Sequence, residues 1–387
     1  MDGNYSMVAK TLFGFEELLA AELRGLGAMN VRTGVRSVSF EGDKGFMYKA
    51  NMALRTCVRI LKPIADFQVY NEDDLYKKLQ KLQWESLIKP DGTFAIDAVA
   101  SSDIFTNTHY LALKSKDAIA DYFRDKFGKR PSVDLKHPDV QINIHIQNNT
   151  CTVSLDSSGD SLHKRGYRSA TNIAPINEVL AAGLVLLSGY NGTQHFIDPM
   201  CGSGTILIEA AMIANNIPAN INRKEFGFEK WNDFDAELFE IIRNSLLKKV
   251  RESHREILGF DKAPSAIIKA GDNIKNAHLQ EFIQVRKTDF FHSEKPFEGP
   301  TIVLFNPPYG ERLEIDVPVF YKRIGDTLKR GYPDTEAWLI TSDFENGLKN
   351  VGLRTSRKIK VYNGKLECRF VQYKMYEGSK KAKYNQN

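Results

Sequence analysis

Asn306-Pro307-Pro308-Tyr309 follows directly on the apolar run Thr301-Ile302-Val303-Leu304-Phe305, so the tetrapeptide stands where a buried strand ends. Two successive prolines fix φ and give up their backbone donors, which stiffens the turn and leaves its carbonyls free to accept. An asparagine oxygen beside such a carbonyl can take both hydrogens of an amino group whose lone pair is delocalised into a π-system, and hold the nitrogen as it pyramidalises. The ring of Tyr309 offers a face to a planar base. These residue types suit methylation of an amino nitrogen, with Asn306, Pro307 and Tyr309 as the catalytic set. Asn-Pro and Pro-Pro also punctuate ordinary strand ends, so the tetrapeptide takes its weight from what precedes it.

Upstream, Phe196-Ile197-Asp198-Pro199-Met200-Cys201-Gly202-Ser203-Gly204-Thr205 leads into the apolar run Ile206 to Ala214. The pattern is strand, tight glycine loop and helix, the nucleotide-binding unit of a Rossmann-like sheet. Gly-x-Gly-x-x-Gly is absent, which counts against NAD or FAD, and no Gly-Lys-Ser/Thr loop is present to cradle a triphosphate. Gly202 and Gly204 allow close backbone approach to a ligand, and Asp198 supplies a carboxylate for a cationic amino-acid moiety. S-adenosylmethionine, with its sulfonium and ammonium charges and no phosphate, fits that description. Farther on, Gly259-Phe260-Asp261 ends a second strand in an acid able to take both ribose hydroxyls, and Thr288-Asp289 ends a third, where Asp289 can accept from an adenine amino group.

Taken in order, Asp-Pro-x-Cys-Gly-Ser-Gly-Thr, Gly-Phe-Asp, Thr-Asp and Asn-Pro-Pro-Tyr-Gly resemble a class I S-adenosylmethionine-dependent amino-methyltransferase. Ser161-Leu162-His163-Lys164-Arg165-Gly166-Tyr167-Arg168 and Ala174-Pro175-Ile176-Asn177-Glu178-Val179 resemble the junction of RNA methyltransferases that carry a THUMP domain. Over nearly the whole chain the likeness is to the RlmL-type 23S rRNA guanine-N2 methyltransferase group. The resemblance implies S-adenosyl-L-methionine as cofactor, held by Asp198, Pro199, Cys201, Gly202, Ser203, Gly204, Thr205, Asp261, Lys262, Asp289 and Asn306. Pro175, Asn177 and Glu178 would lie near its methionine end. It implies RNA as partner, 23S rRNA or an assembly intermediate, with His163, Lys164, Arg165, Tyr167 and Arg168 as a basic, aromatic-interleaved clamp. Residue chemistry alone leaves guanine-N2, adenine-N6 and cytosine-N4 targets open, including those of a DNA methyltransferase, and a non-catalytic rRNA-binding assembly factor stands as a further alternative.

The elements that must position these groups follow from pattern. The fold class is α/β: a Rossmann-like class I methyltransferase domain over 161–387, with a mostly parallel seven-stranded sheet closed by an antiparallel hairpin, Arg357 to Tyr362 and Leu366 to Tyr373, around an Asn363-Gly364 type I′ turn. Before it come a ferredoxin-like lobe, 1–43, and an α+β THUMP domain, 44–160. Asp261 lies far beyond the spacing of about 20 residues usual between a glycine loop and its ribose acid. The excess forms a helical insertion, about 217–256, with the cluster Phe226-Gly227-Phe228-Glu229-Lys230-Trp231. It reads either as a helix over the sheet edge or as a grip on RNA.

A chain of 387 residues, 42% hydrophobic, can build two or three domains. Its net charge of +5 is compatible with an RNA partner. No apolar window reaches membrane-spanning length and the first residues lack a signal peptide's pattern, so the expected location is cytoplasmic. Four scattered cysteines and eight histidines show no metal-ligand spacing, and no metal is expected.

Overall fold

The computed structural model describes residues 3–168, 176–308 and 316–376. They fall into two compact units: the first takes in 1–11, 19–162 and 223–245, the second 12–18, 163–222 and 246–387.

In the first unit, β1 (Tyr5–Thr11), α1 (Glu16–Leu26), β2 (Met29–Gly34), β3 (Ser37–Gly42), α2 (Lys44–Ala53) and β4 (Cys57–Gln68) form a ferredoxin-like βαββαβ arrangement. The lobe therefore runs on past residue 43. Then come α3 (Glu72–Leu79), β5 (Thr93–Ser101), α4 (Thr108–Phe127), β6 (Ser132–Val133), β7 (Val140–Gln147) and β8 (Thr150–Asp156). One eight-stranded sheet, ordered β2-β3-β1-β4-β8-β7-β5-β6, contains every strand of this unit among the described residues. Strand β4 joins its halves, since Cys57 to Leu61 pair with β1 while Leu61 to Gln68 pair with β8. Pro63 sits inside this strand, where the register slips between Pro63 and Ala65. A proline is tolerated there because a bulge needs one fewer ladder donor. Helix α4 shows how local chemistry sets the ends: Asn107 Oδ1 accepts from the Tyr110 amide at 3.0 Å, and Gly128 closes the helix at φ 64°.

The second unit holds α5 (Glu178–Leu187), β9 (His195–Asp198), α6 (Thr205–Ala214), β10 (Ile257–Asp261), α8 (Pro264–Asn276), β11 (Ile283–Lys287), β12 (Thr301–Phe305), α9 (Val317–Gly331), β13 (Thr335–Thr341), β14 (Arg357–Asn363) and β15 (Leu366–Lys374). Helix α7 (Ala236–Leu247) lies in the insertion, most of which is counted with the first unit. The sheet order is β11-β10-β9-β12-β13-β15-β14. Strands β9 to β13 pair in parallel and β15 runs antiparallel to both neighbours, as expected of the class I methyltransferase fold. All five residues of β12 are buried, and so are all ten of α6. Such all-round apolar sequences mark elements covered on every side. The closing hairpin differs in detail from expectation. Asn363 pairs with Leu366, which makes Gly364-Lys365 the loop. Only Gly364 has positive φ there, 65°, the pattern of a II′ rather than a I′ turn.

Aromatic residues of the insertion pack into the first unit. Its Phe228 ring stacks on Tyr48 at 4.4 Å, Phe226 stacks on Phe228 at 5.3 Å, and Phe234 and Phe239 approach Tyr48 edge-on at 5.8 Å. Aromatic pairs of this kind contribute about 0.5–1.5 kcal/mol each beyond the area they bury; Phe226 and Phe228 are buried, and Phe234 and Phe239 are half-buried beside them.

Conversely, the short segment 12–18 is part of the second unit, and its Phe15 is fully buried. A Cβ added at Gly183 of α5 would stand 2.0 Å from Phe15 Cε2. Gly183→Ala should therefore lower the stability of this unit by about 1–3 kcal/mol, measured by urea unfolding. Combining it with Phe15→Leu should cost less than the two single changes summed, whereas strict additivity would show that the contact does not limit the site.

Candidate active site

The carboxyl ends of β11, β10, β9 and β12 lie side by side, and the strand order reverses between β9 and β12. In an open α/β sheet that reversal leaves a crevice above the strand ends. Here it holds a cavity of about 300 Å³ whose wall includes Pro199, Met200, Gly202, Asp261, Lys262, Asp289, Phe291, Asn306, Pro307 and Pro308. A larger groove, about 1120 Å³, opens at the amino ends of β12 and β13 beside Thr301 and Thr335. None of the motif residues lines it.

Each group is aimed by its own chain segment. The loop after β9 turns through Gly202 and Gly204, both at positive φ, 53° and 78°. Asp261 grips that loop: its Oδ2 accepts from the Gly202 amide at 3.0 Å and its Oδ1 from the Ala263 amide at 2.9 Å. A carboxylate so held keeps further lone pairs for two hydroxyl donors. Asp289 Oδ1 accepts from the Phe291 amide at 3.0 Å, while Asn273 Nδ2 donates to the Ser203 carbonyl at 2.9 Å. Asn306, one residue past β12, has its Oδ1 buried with no hydrogen-bond partner among the described residues. An orphaned acceptor of this sort costs about 1–3 kcal/mol, and on a cavity wall it is poised for an incoming N–H.

Asp198, Cys201, Ser203, Gly204 and Thr205 shape the loop from behind, outside the cavity wall. Asp198 is 1% exposed and its Oδ1 accepts from the Met200 amide at 3.1 Å. Burial lifts its carboxyl well above the usual carboxylate range, an effect that a cationic ligand nearby would oppose. The Cys201 thiol is also buried and pushed up by burial, which makes it a packing group. Asn177 is the N-cap of α5, its Oδ1 accepting from the Val179 and Leu180 amides. Tyr309 and Pro175 lie outside the described residues.

The basic cluster 163–168 is placed differently from a clamp open to RNA. Arg165 is 1% exposed; its guanidinium meets Glu209 of α6 at 3.4 Å and donates to Asn220 Oδ1 at 3.0 Å. Tyr167 is fully buried and donates to the same Glu209 at 3.2 Å. Arg168 donates to the Ile176 carbonyl at 2.6 Å and to Thr205 Oγ1 at 2.9 Å, and pairs with Glu178 at 3.2 Å. These side chains tie the entry of the domain to the first residue after the glycine loop. Lys164 is the exposed cation of the group and His163 is half-buried. Sequence reasoning also missed Phe291, Phe320 and Asn363 as wall residues. Phe291 carried a signal, a second aromatic immediately after Asp289-Phe290; the other two come from elements that only the fold brings near.

Among the described residues no group of side chains could hold a metal ion, and no helix is long and apolar enough to cross a membrane.

The description "RMKL-like, methyltransferase domain" matches residues 165–372, "THUMP domain" matches 69–156 and "RlmL ferredoxin-like domain" matches 6–61. The chain is 37% identical to slr0064 of Synechocystis sp., which carries an RNA-methyltransferase name, over 94% of this chain and 95% of that protein. It is 36% identical to the ribosomal RNA large subunit methyltransferase K/L of Cellvibrio japonicus over 93% of its own length, and spans about half, 50%, of that relative. The crystal structure of SMU.472 with SAH is similar at a TM-score of 0.86 and 28% identity, covering 98% of this chain and 100% of that one.

Glu178 gives the site a pH signature. Burial raises its carboxyl from 4.5 to about 7 against the pull of Arg168. Folding then takes up a proton between those values: the stabilisation is complete below 4.5 and is lost as pH rises through 7. Relative to Glu178→Gln, the wild type should lose at most about 3 kcal/mol of unfolding free energy across that window. Urea unfolding at a series of pH values checks this, and parallel pH profiles for the two proteins would rule it out.

Proposed function

This chain belongs to the RMKL-like methyltransferase family, and on that premise we propose that it methylates guanine N2 in 23S rRNA. It is an S-adenosylmethionine-dependent methyltransferase. The residues present fit that cofactor: a glycine loop at positive φ, two carboxylates at or just past strand ends on one cavity wall and a buried acceptor with no donor among the described residues.

The observation that carries the reading is the Asn306 oxygen, buried and without a partner among the described residues, at the end of β12 on the wall that Asp261 and Asp289 share. When bound, the cofactor supplies an electrophilic methyl group on a sulfonium. Asn306 Oδ1 and the Pro307 carbonyl accept the two hydrogens of the target amino group and direct its lone pair at that carbon. As the nitrogen–carbon bond formed, the methyl–sulfur bond would break and S-adenosylhomocysteine would leave; fixed acceptors would meet the positive charge growing on nitrogen without having to reorganise, and the extra proton would then pass to solvent. No general base is required before attack, because the proton becomes acidic only after methylation. Asp261 orients ribose hydroxyls, Asp289 takes the adenine amino group, and Tyr309 stacks on the base. A nucleotide within a helix reaches this corner by flipping outward. An RNA substrate is supported by the THUMP match and by the names of the relatives, and the choice of guanine N2 follows the RlmL likeness.

Tritiated methyl transfer from S-adenosylmethionine to 23S rRNA from cells lacking the protein, followed by nucleoside mass spectrometry, should yield N2-methylguanosine. Label on adenine, or on DNA alone, would overturn the substrate while leaving the family standing. Asn306→Ala should lower kcat by about a hundredfold or more, with cofactor affinity by isothermal titration nearly unchanged. Asp261→Ala should do the reverse first, weakening cofactor binding about tenfold.

A further inference from the structure

Against a cavity-wall residue sits a cation that the chemistry above leaves unused. Arg323, on the second turn of α9, holds its guanidinium carbon 4.0 Å over the Phe291 ring. Phe320, one turn earlier on the same helix, meets Phe291 edge-on at 5.4 Å. Phe291 and Phe320 both line the cavity that contains Asn306, Pro307 and Pro308. Arg323 is exposed, and among the described residues no carboxylate lies within ion-pair distance of it.

We propose that Arg323 binds a backbone phosphate next to the nucleotide whose base enters the cavity; this rests on the nucleic-acid reading given above. A base that leaves its stack carries its own phosphates to the mouth of the pocket, and they arrive within a few ångströms of the wall. Contact with the Phe291 ring limits the rotamers of the guanidinium, so less freedom is lost when it closes on a phosphate. The planar fork then presents paired N–H donors that match two phosphate oxygens. A carboxylate partner would have to be displaced first, and the described residues provide none. Lys262, on the cofactor side of the same wall and exposed, adds charge of the same sign. The contact is to the backbone, so it favours an entering nucleotide without selecting the base.

The test uses the full chain and 23S rRNA, comparing wild type with Arg323→Ala and Arg323→Lys. Arg323→Ala should raise KM for RNA about tenfold and flatten the slope of log(kcat/KM) against log salt by about one unit, the amount due to one phosphate. Arg323→Lys should keep the salt slope and recover part of KM, since it retains the charge and loses the planar fork. Cofactor affinity by calorimetry should stay within twofold in both. An unchanged RNA KM and salt slope would overturn the proposal. A loss of cofactor affinity with the salt slope intact would also overturn it, by making Arg323 a prop for Phe291. Should the wild type neither bind RNA in fluorescence anisotropy nor methylate it, the RNA reading fails first and this contact with it.

Discussion

Helix α6 approaches strand β10 so closely that a single methyl group would not fit between them. A Cβ at Gly259 would lie 2.4 Å from Leu207 Cδ1 and 3.1 Å from Cys201 Sγ. That absence of side chain lets the buried helix settle onto the sheet and brings the loop ahead of it within reach of Asp261. The hydrogen bond from the Gly202 amide to Asp261 then closes a ring of chain 59 residues around. Loop geometry, carboxylate orientation and cavity wall all follow from it. Cys201, which sits in the same contact, is there for its size and not for its thiol.

A second constraint is the treatment of charge beneath the site. Glu209 is buried in a helix otherwise suited to an oily core, and Arg165, Asn220 and Tyr167 are arranged about it. Removing one partner of such a set is costly because the other is left buried without compensation. The arrangement fixes where the domain entry passes under α6, and Arg168 continues it to Thr205. Polar groups inside the fold therefore specify one position for the cofactor loop, while the apolar majority supplies the drive to bury it.

Much of this could be read from the chain because some signals are local. Apolar runs that stop at an acid or an asparagine placed Asp198, Asp261 and Asn306 at strand ends, and the order of motifs gave the parallel sheet. Signals that depend on a distant partner were illegible. Arg165 looks like a surface cation until Glu209, 44 residues away, is seen to bury it. Pro63 is a residue type unsuited to a strand interior, yet a bulge carries β4 through it. Asn363-Gly364 has the composition of one turn, but the pairing of Asn363 with Leu366 moves the loop by one residue. The phenylalanines of the insertion reveal nothing of their role until Tyr48 is found among them.

The division of the chain bears on how it can be made. The second unit incorporates 12–18, which leave the ribosome early, and the first incorporates 223–245, which leave late. Neither unit is a contiguous stretch, so vectorial synthesis cannot finish one before starting the other. Until Phe228, Phe234 and Phe239 emerge, Tyr48 lacks the rings that cover it, and until α5 emerges Phe15 has no Gly183 to pack on. Such closures between sequence-distant pieces are slow and leave apolar surface exposed while they wait. Nascent chains of intermediate length should therefore be clients for chaperones, and cutting the gene at a domain boundary drawn on the linear sequence would strand a fragment of each core in the wrong product.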